Sequence, residues 1–80
     1  PEMIRVLLFA GLKERAGKSS FELSLESSAT VADLRIELVA ACPNLKGQVF
    51  RIAIGNEYAD EGDCLGDIHE VACIPPVSGG

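Results

Sequence analysis

The sequence predicts an α+β fold, a mixed sheet with one main helix packed on one face. Three observations lead there. Two apolar runs near the N-terminus are close enough to pair as a hairpin. One capped stretch with helical spacing follows them, and the second half holds three more short strand-like runs. Strands, one helix, then strands again is the order of a helix laid across a single sheet, not of alternating βα units.

The first strand is Ile4-Arg5-Val6-Leu7-Leu8-Phe9-Ala10. It is strongly apolar apart from Arg5 and reads as a strand. Gly11 to Lys18 reads as a polar connection, in which Leu12-Lys13-Glu14-Arg15 can make one helical turn ended by Gly17. Phe21, Leu23 and Leu25 then alternate with Glu22, Ser24 and Glu26. That period of two marks a half-buried strand.

Thr30 caps the helix, with Asp33 three residues on in an approximation to a capping box. Val31, Leu34, Leu38 and Ala41 recur at helical spacing as one apolar stripe, with Arg35 and Glu37 expected to face water. The expected span is Val31–Cys42, because Pro43 disfavours helix in the residue before it. Phe50-Arg51-Ile52-Ala53-Ile54 is the third strand, and Gly55-Asn56 suits a tight turn into Glu57-Tyr58-Ala59 at the sheet edge. Asp60 to Gly66 is a polar loop from which Leu65 plugs the core. Val71-Ala72-Cys73-Ile74 is the last strand, stopped by Pro75-Pro76 and expected to pair centrally with the first.

Alternation also assigns faces. With Arg5 outward, Leu7 and Phe9 point the same way; with Glu70 outward, so do Ala72 and Ile74. Leu7, Phe9, Ala53, Ala72 and Ile74 are therefore expected on the face away from the helix. An exposed apolar patch on a small acidic domain is expected to be a protein interface.

The end of the chain carries the chemistry. It reads Pro75-Pro76-Val77-Ser78-Gly79-Gly80. The prolines fix φ at the base. Gly79 and Gly80 have no Cβ and can enter a slot closed to other residues. Pro76 to Gly80 can span roughly 17 Å when extended. The expected organisation is one domain over residues 1–80, with a folded body at 3–75 and a tail at 76–80. The reactive group is the α-carboxylate of Gly80. Pro1 and Glu2 read as a foreign remnant or a processed start, with Met3 expected as the natural first residue.

Composition narrows the partners. The net charge of -5 argues against nucleic acid, which needs a basic footprint. Three cysteines without a C-x-x-C pair argue against a disulfide framework, a zinc site or an iron–sulfur cluster. They read as reduced thiols of a cytoplasmic protein, with Cys73 in the core. No stretch is long enough to span a membrane.

Three segments together resemble a known family. They are Ile4–Ala10, Thr-Val-Ala-Asp-Leu-Arg-Ile-Glu-Leu at 30–38, and Glu-Val-Ala-Cys-Ile-Pro-Pro-Val-Ser-Gly-Gly at 70–80. Their order and spacing are similar to the small subunits of molybdopterin synthase, the sulfur carriers of molybdenum cofactor synthesis. The likeness covers the chain from Met3 and differs in the turn Asp67-Ile68-His69-Glu70, where His69 is assigned no role. The resemblance implies a ubiquitin-like β-grasp fold. It implies that an ATP-dependent, E1-like activating enzyme adenylates Gly80 and that a sulfur donor converts it to a thiocarboxylate. The charged tail (Pro76, Val77, Ser78, Gly79) would enter the large synthase subunit and give sulfur to a cyclic pyranopterin monophosphate precursor. Two carriers would serve the two dithiolene sulfurs of a heterotetramer. The carrier would bind no cofactor or metal, ATP being used by the activating enzyme. Leu7, Phe9, Ala72, Ile74 and Pro75 would face the large subunit. Three alternatives stay open: a thiamine-type sulfur carrier, a modifier conjugated through Gly80, and an interaction module with an inert tail.

Overall fold

The structure is a computed structural model, and it describes residues 2–76. The chain runs β1 (Glu2–Leu8), α1 (Ala10–Ala16), β2 (Ser20–Leu25), α2 (Val31–Ala41), a 3-10 turn (Pro43–Leu45), β3 (Arg51–Ile54), β4 (Glu57–Tyr58) and β5 (Glu70–Ile74). Five strands form one mixed sheet in the order β2-β1-β5-β3-β4. β5 lies parallel to β1 and antiparallel to β3. The first and last strands thus pair in the interior of the sheet, as expected.

Inward residues of the central strands line one side of the core: Ile4, Val6 and Leu8 from β1, Val71 and Cys73 from β5, and Ile52 from β3, all almost wholly buried. Val31, Leu34 and Leu38 of α2 pack against them at 0% exposure. Leu65 closes the core from its loop at 1% exposure. One member of the expected stripe differs. Ala41 is exposed, and Cys42, one residue past the helix, fills the fourth place. The chain leaves helical geometry at Cys42 (φ -135°, ψ 83°), which swings that side chain inward ahead of Pro43.

The start of α2 is secured from two sides. The Thr30 hydroxyl accepts from the Asp33 N–H at 3.2 Å, and the Asp33 carboxylate accepts from the Thr30 N–H at 3.0 Å, a complete capping box. The next two free amides, Val31 and Ala32, donate to the carbonyls of Asp63 and Glu61, both at 2.9 Å. All these orphan donors of the first turn are therefore paired. Thr30→Ala removes the side-chain acceptor and should cost about 1 kcal/mol, read from the shift in a denaturation midpoint. Thr30→Ser should restore most of it.

Two elements depart from the sequence reading. The segment expected as a polar connection is the helix α1, ended by Gly17 in the left-handed region (φ 79°). Its hold on the core is Leu12, 3% exposed, with Ala16 packed one turn on. Two anchors in seven residues give too little periodicity to announce a helix. The second is the turn at Pro43–Leu45, which buries Leu45 completely beneath α1 and α2. β1 also stops at Leu8, two residues early, because Ala10 (φ 50°) turns the chain into α1. Arg35, expected in water, is half-buried. It makes a bidentate contact with Glu61 at 2.8 and 3.0 Å and donates to the Phe50 carbonyl at 2.9 Å, tying α2 to the residue before β3 and to the loop after β4. No described helix is long and apolar enough to cross a membrane.

Candidate functional site

Strand pairing lays out the face opposite α2. Ser20, Leu7, Ala72, Ala53 and Tyr58 are successive partners across all five strands. Directly paired residues share a face. Leu7 and Ala72 are half-buried there, as is Ile74 one rung nearer the end of β5, opposite Arg51. Phe9 follows β1 in extended backbone (φ -126°, ψ 155°), so it keeps the side of Leu7, and it is 47% exposed. Pro75 is half-buried and Pro76 exposed. Arg5 marks the other end of the strip, paired with Glu22 on one side and Glu70 on the other.

An apolar strip therefore runs along β1 and β5 toward the point where β5 ends, with charge at its far end. The structure brings together Leu7, Ala72, Ile74 and Pro75, with Phe9 beside them at the end of β1. Ala53 is on this face but only 7% exposed, so it contributes little surface. Tyr58 at the edge is 53% exposed, and the Arg51 guanidinium lies 4.2 Å over its ring. These two residues were missed. The alternation Arg51-Ile52-Ala53 carried the signal, because it puts Arg51 on the face assigned to Ala53. A shallow cavity of about 310 Å³ separates Tyr58 and Gly55 from Ile74, next to the tail exit. Val77, Ser78, Gly79 and Gly80 lie outside the described residues.

The thiols divide by exposure. Cys42 and Cys73 are buried and Cys64 is exposed. Burial pushes the Cys73 thiol up to about 12, against a small opposing effect of the Arg35 charge. A buried neutral thiol is inert as a nucleophile. In the native protein Cys64 alone should react with iodoacetamide, and all three should react after unfolding; mass counting of labels checks this. The pH dependence follows. Because the folded value lies above the unfolded value of 9.0, the contribution of Cys73 is complete below about 9 and is lost as pH rises toward 12. Cys73→Ala should flatten that alkaline loss.

Glu61 is displaced the other way. The hydrogen bonds from Arg35 hold its carboxyl below the usual range, only partly opposed by desolvation. Its contribution is present above the unfolded value of 4.5 and fades as pH falls below it. The group is largely exposed, so solvent screens the effect.

The fold and sequence have clear relatives. The ThiS family description matches residues 6–80. The chain is 40% identical to the molybdopterin synthase sulfur carrier subunit of Chlamydomonas reinhardtii, over 96% of this chain and 98% of that one. It is 35% identical to small archaeal modifier protein 1 of Haloferax volcanii, over 91% and 95%. The crystal structure of SAMP1 from Haloferax volcanii superposes with a TM-score of 0.86 at 31% identity, covering 98% of this chain and 99% of that one. The ubiquitin-like β-grasp architecture is thereby shown.

Proposed function

The chain belongs to the ThiS family, and from that premise we propose that it is a sulfur carrier of molybdopterin synthesis, with Gly80 as the sulfur-bearing residue. The observation that supports this most is the match, over nearly the whole of both chains, to a molybdopterin synthase sulfur carrier subunit. The geometry suits the role. The tail leaves the middle strand of the sheet, and the apolar strip of Leu7, Phe9, Ala72 and Ile74 lies beside its exit. A partner that seats on the strip would lie beside the point where the chain leaves β5.

The chemistry assigned to the tail is group transfer. A carboxylate is a poor electrophile. Adenylation by an ATP-dependent activating enzyme turns the Gly80 carboxylate into a mixed anhydride with AMP as leaving group. Sulfide-level sulfur from a donor attacks the acyl carbon, AMP departs with the electron pair of the broken anhydride bond, and the acyl group keeps the sulfur as a thiocarboxylate, whose ionised form is a strong nucleophile. The large synthase subunit then takes the tail and directs that sulfur to the cyclic pyranopterin monophosphate precursor. The carrier's part is delivery. Gly79 and Gly80 let the sulfur approach closely, and proximity supplies much of the rate.

A second reading has its own support in the likeness to small archaeal modifier protein 1. There the same activated carboxylate would be captured by a lysine amine as an isopeptide. Reconstitution with the large subunit and the precursor decides between them. The carrier reading expects dithiolene formed in proportion to thiocarboxylated protein supplied. Isopeptide adducts on other proteins, with no dithiolene, would favour the modifier.

A further inference from the structure

We propose that the free edge of β2, with the groove beside it, is a second docking site, for an extended basic segment of a partner protein. β2 is a terminal strand of the sheet, six residues long, whereas the opposite edge strand β4 has only two. The phase of its ladder is fixed by the bond from the Leu8 N–H to the Ser19 carbonyl at 2.8 Å. In an antiparallel pair such bonded positions alternate. Phe21, Leu23 and Leu25 therefore bond to β1, and the backbone groups of Ser20, Glu22 and Ser24 face outward. A row of this kind is a template for an added strand.

The groove lies at the Leu25 end. It holds about 310 Å³ between Leu25, Ala29 and α2, where Ile36 is apolar yet 65% exposed. Its rim carries Glu26, Asp33 and Glu37, and none of its lining residues is basic. A strand added to β2 places the residue opposite Leu25 on the groove side, where an apolar side chain meets Ile36. The alternate side chains come out beside Glu22, and a basic residue at the end of the segment reaches Glu26 and Glu37. The same charges disfavour a second copy of this chain, whose β2 would bring Glu22 and Glu26 against their like. The site is on the outermost strand and the helix side of the sheet, so it leaves the Leu7–Ile74 strip free.

The test titrates isotope-labelled full chain, followed by NMR, with an end-capped peptide of alternating Lys and Val. Expected are saturable shifts of the Ser20, Glu22, Ser24, Ile36 and Glu37 amides, weakened by added salt. Ile36→Lys, a change at an exposed position, should weaken binding about tenfold or more, and Glu37→Lys should weaken it independently. A peptide of equal charge with Gly in place of Val should give no saturable shift. The proposal is overturned by shifts centred on Leu7, Phe9, Ala72 and Ile74, or by equal binding of the Lys/Gly peptide. It is also overturned by unchanged affinity in both variants, by no saturable shift at about 1 mM peptide, or by self-association of the chain through β2.

Discussion

Deleting Gly80 should abolish sulfur transfer and leave the unfolding transition where it was. Adding a residue after Gly80 should do the same. The two halves of this expectation rest on different links. In the proposed reaction the carboxylate would have to sit at one position in the partner's slot, and moving it by one residue displaces it by roughly 3.3–3.6 Å. A misplacement of about 1 Å at reacting atoms already costs on the order of a hundredfold in rate. Stability should be unchanged, because the core formed by the described residues is complete by Cys73, within β5. Gly79→Val should act the same way with a smaller effect. Its branched Cβ both fills the slot and restricts φ and ψ. Transfer rate should fall much more than affinity for the large subunit. A Gly80-deleted protein that still supported dithiolene formation would show that sulfur is carried elsewhere.

Phe9→Asp should weaken the complex with the large subunit about thirtyfold or more without unfolding the carrier, as isothermal titration alongside a melting curve would show. An aromatic at the centre of an interface is commonly worth 2 kcal/mol or more, and a carboxylate desolvated in its place adds a further penalty. The structure sharpens the second half of this expectation. Phe9 is the residue before α1, its side chain makes no capping bond, and its carbonyl accepts from Leu12 and Lys13 at 3.1 and 3.4 Å. Its backbone is in the extended conformation that capping residues adopt. Aspartate is among the preferred residues there, so the variant should melt at the same temperature or slightly higher. Loss of binding together with a stable fold would place Phe9 in the interface. Unchanged affinity would remove the strip's exposed end from it.

Much of this architecture was legible because β-strands and α2 announce themselves by different periods. Phe21, Leu23 and Leu25 alternate with Glu22, Ser24 and Glu26, and the structure pairs that run with β1 along its length. Thr30 and Asp33 gave the start of α2 because capping is local chemistry. Strand alternation placed Leu7, Ala72 and Ile74 on one face without any knowledge of the pairing. What stayed hidden depends on tertiary contacts. α1 is held by Leu12 and Ala16 against a core assembled from distant segments. Leu45 is buried by a turn that only the packing of α1 and α2 makes favourable. Arg35 looks like a solvent residue in its helix, and only the arrival of Glu61 and the Phe50 carbonyl from elsewhere in the chain gives it partners. The arrangement of Arg51 and Tyr58 needed the β3–β4 register, Ala53 opposite Tyr58. At the tail the reverse holds. The residue types of Gly79 and Gly80 suggested entry into a narrow slot, whereas the sulfur chemistry proposed for Gly80 came from the family resemblance.

The central claim is that Gly80 carries the sulfur, and mass spectrometry of the C-terminal peptide tests it most directly. The full chain is incubated with its activating enzyme, ATP and a sulfur source, then digested. The carrier account predicts one oxygen replaced by sulfur, located on the Gly80 carboxyl, dependent on ATP and absent when ATP is withheld. An unmodified Gly80 carboxyl under conditions where the activating enzyme consumes ATP, or sulfur found on Cys64 instead, would contradict it.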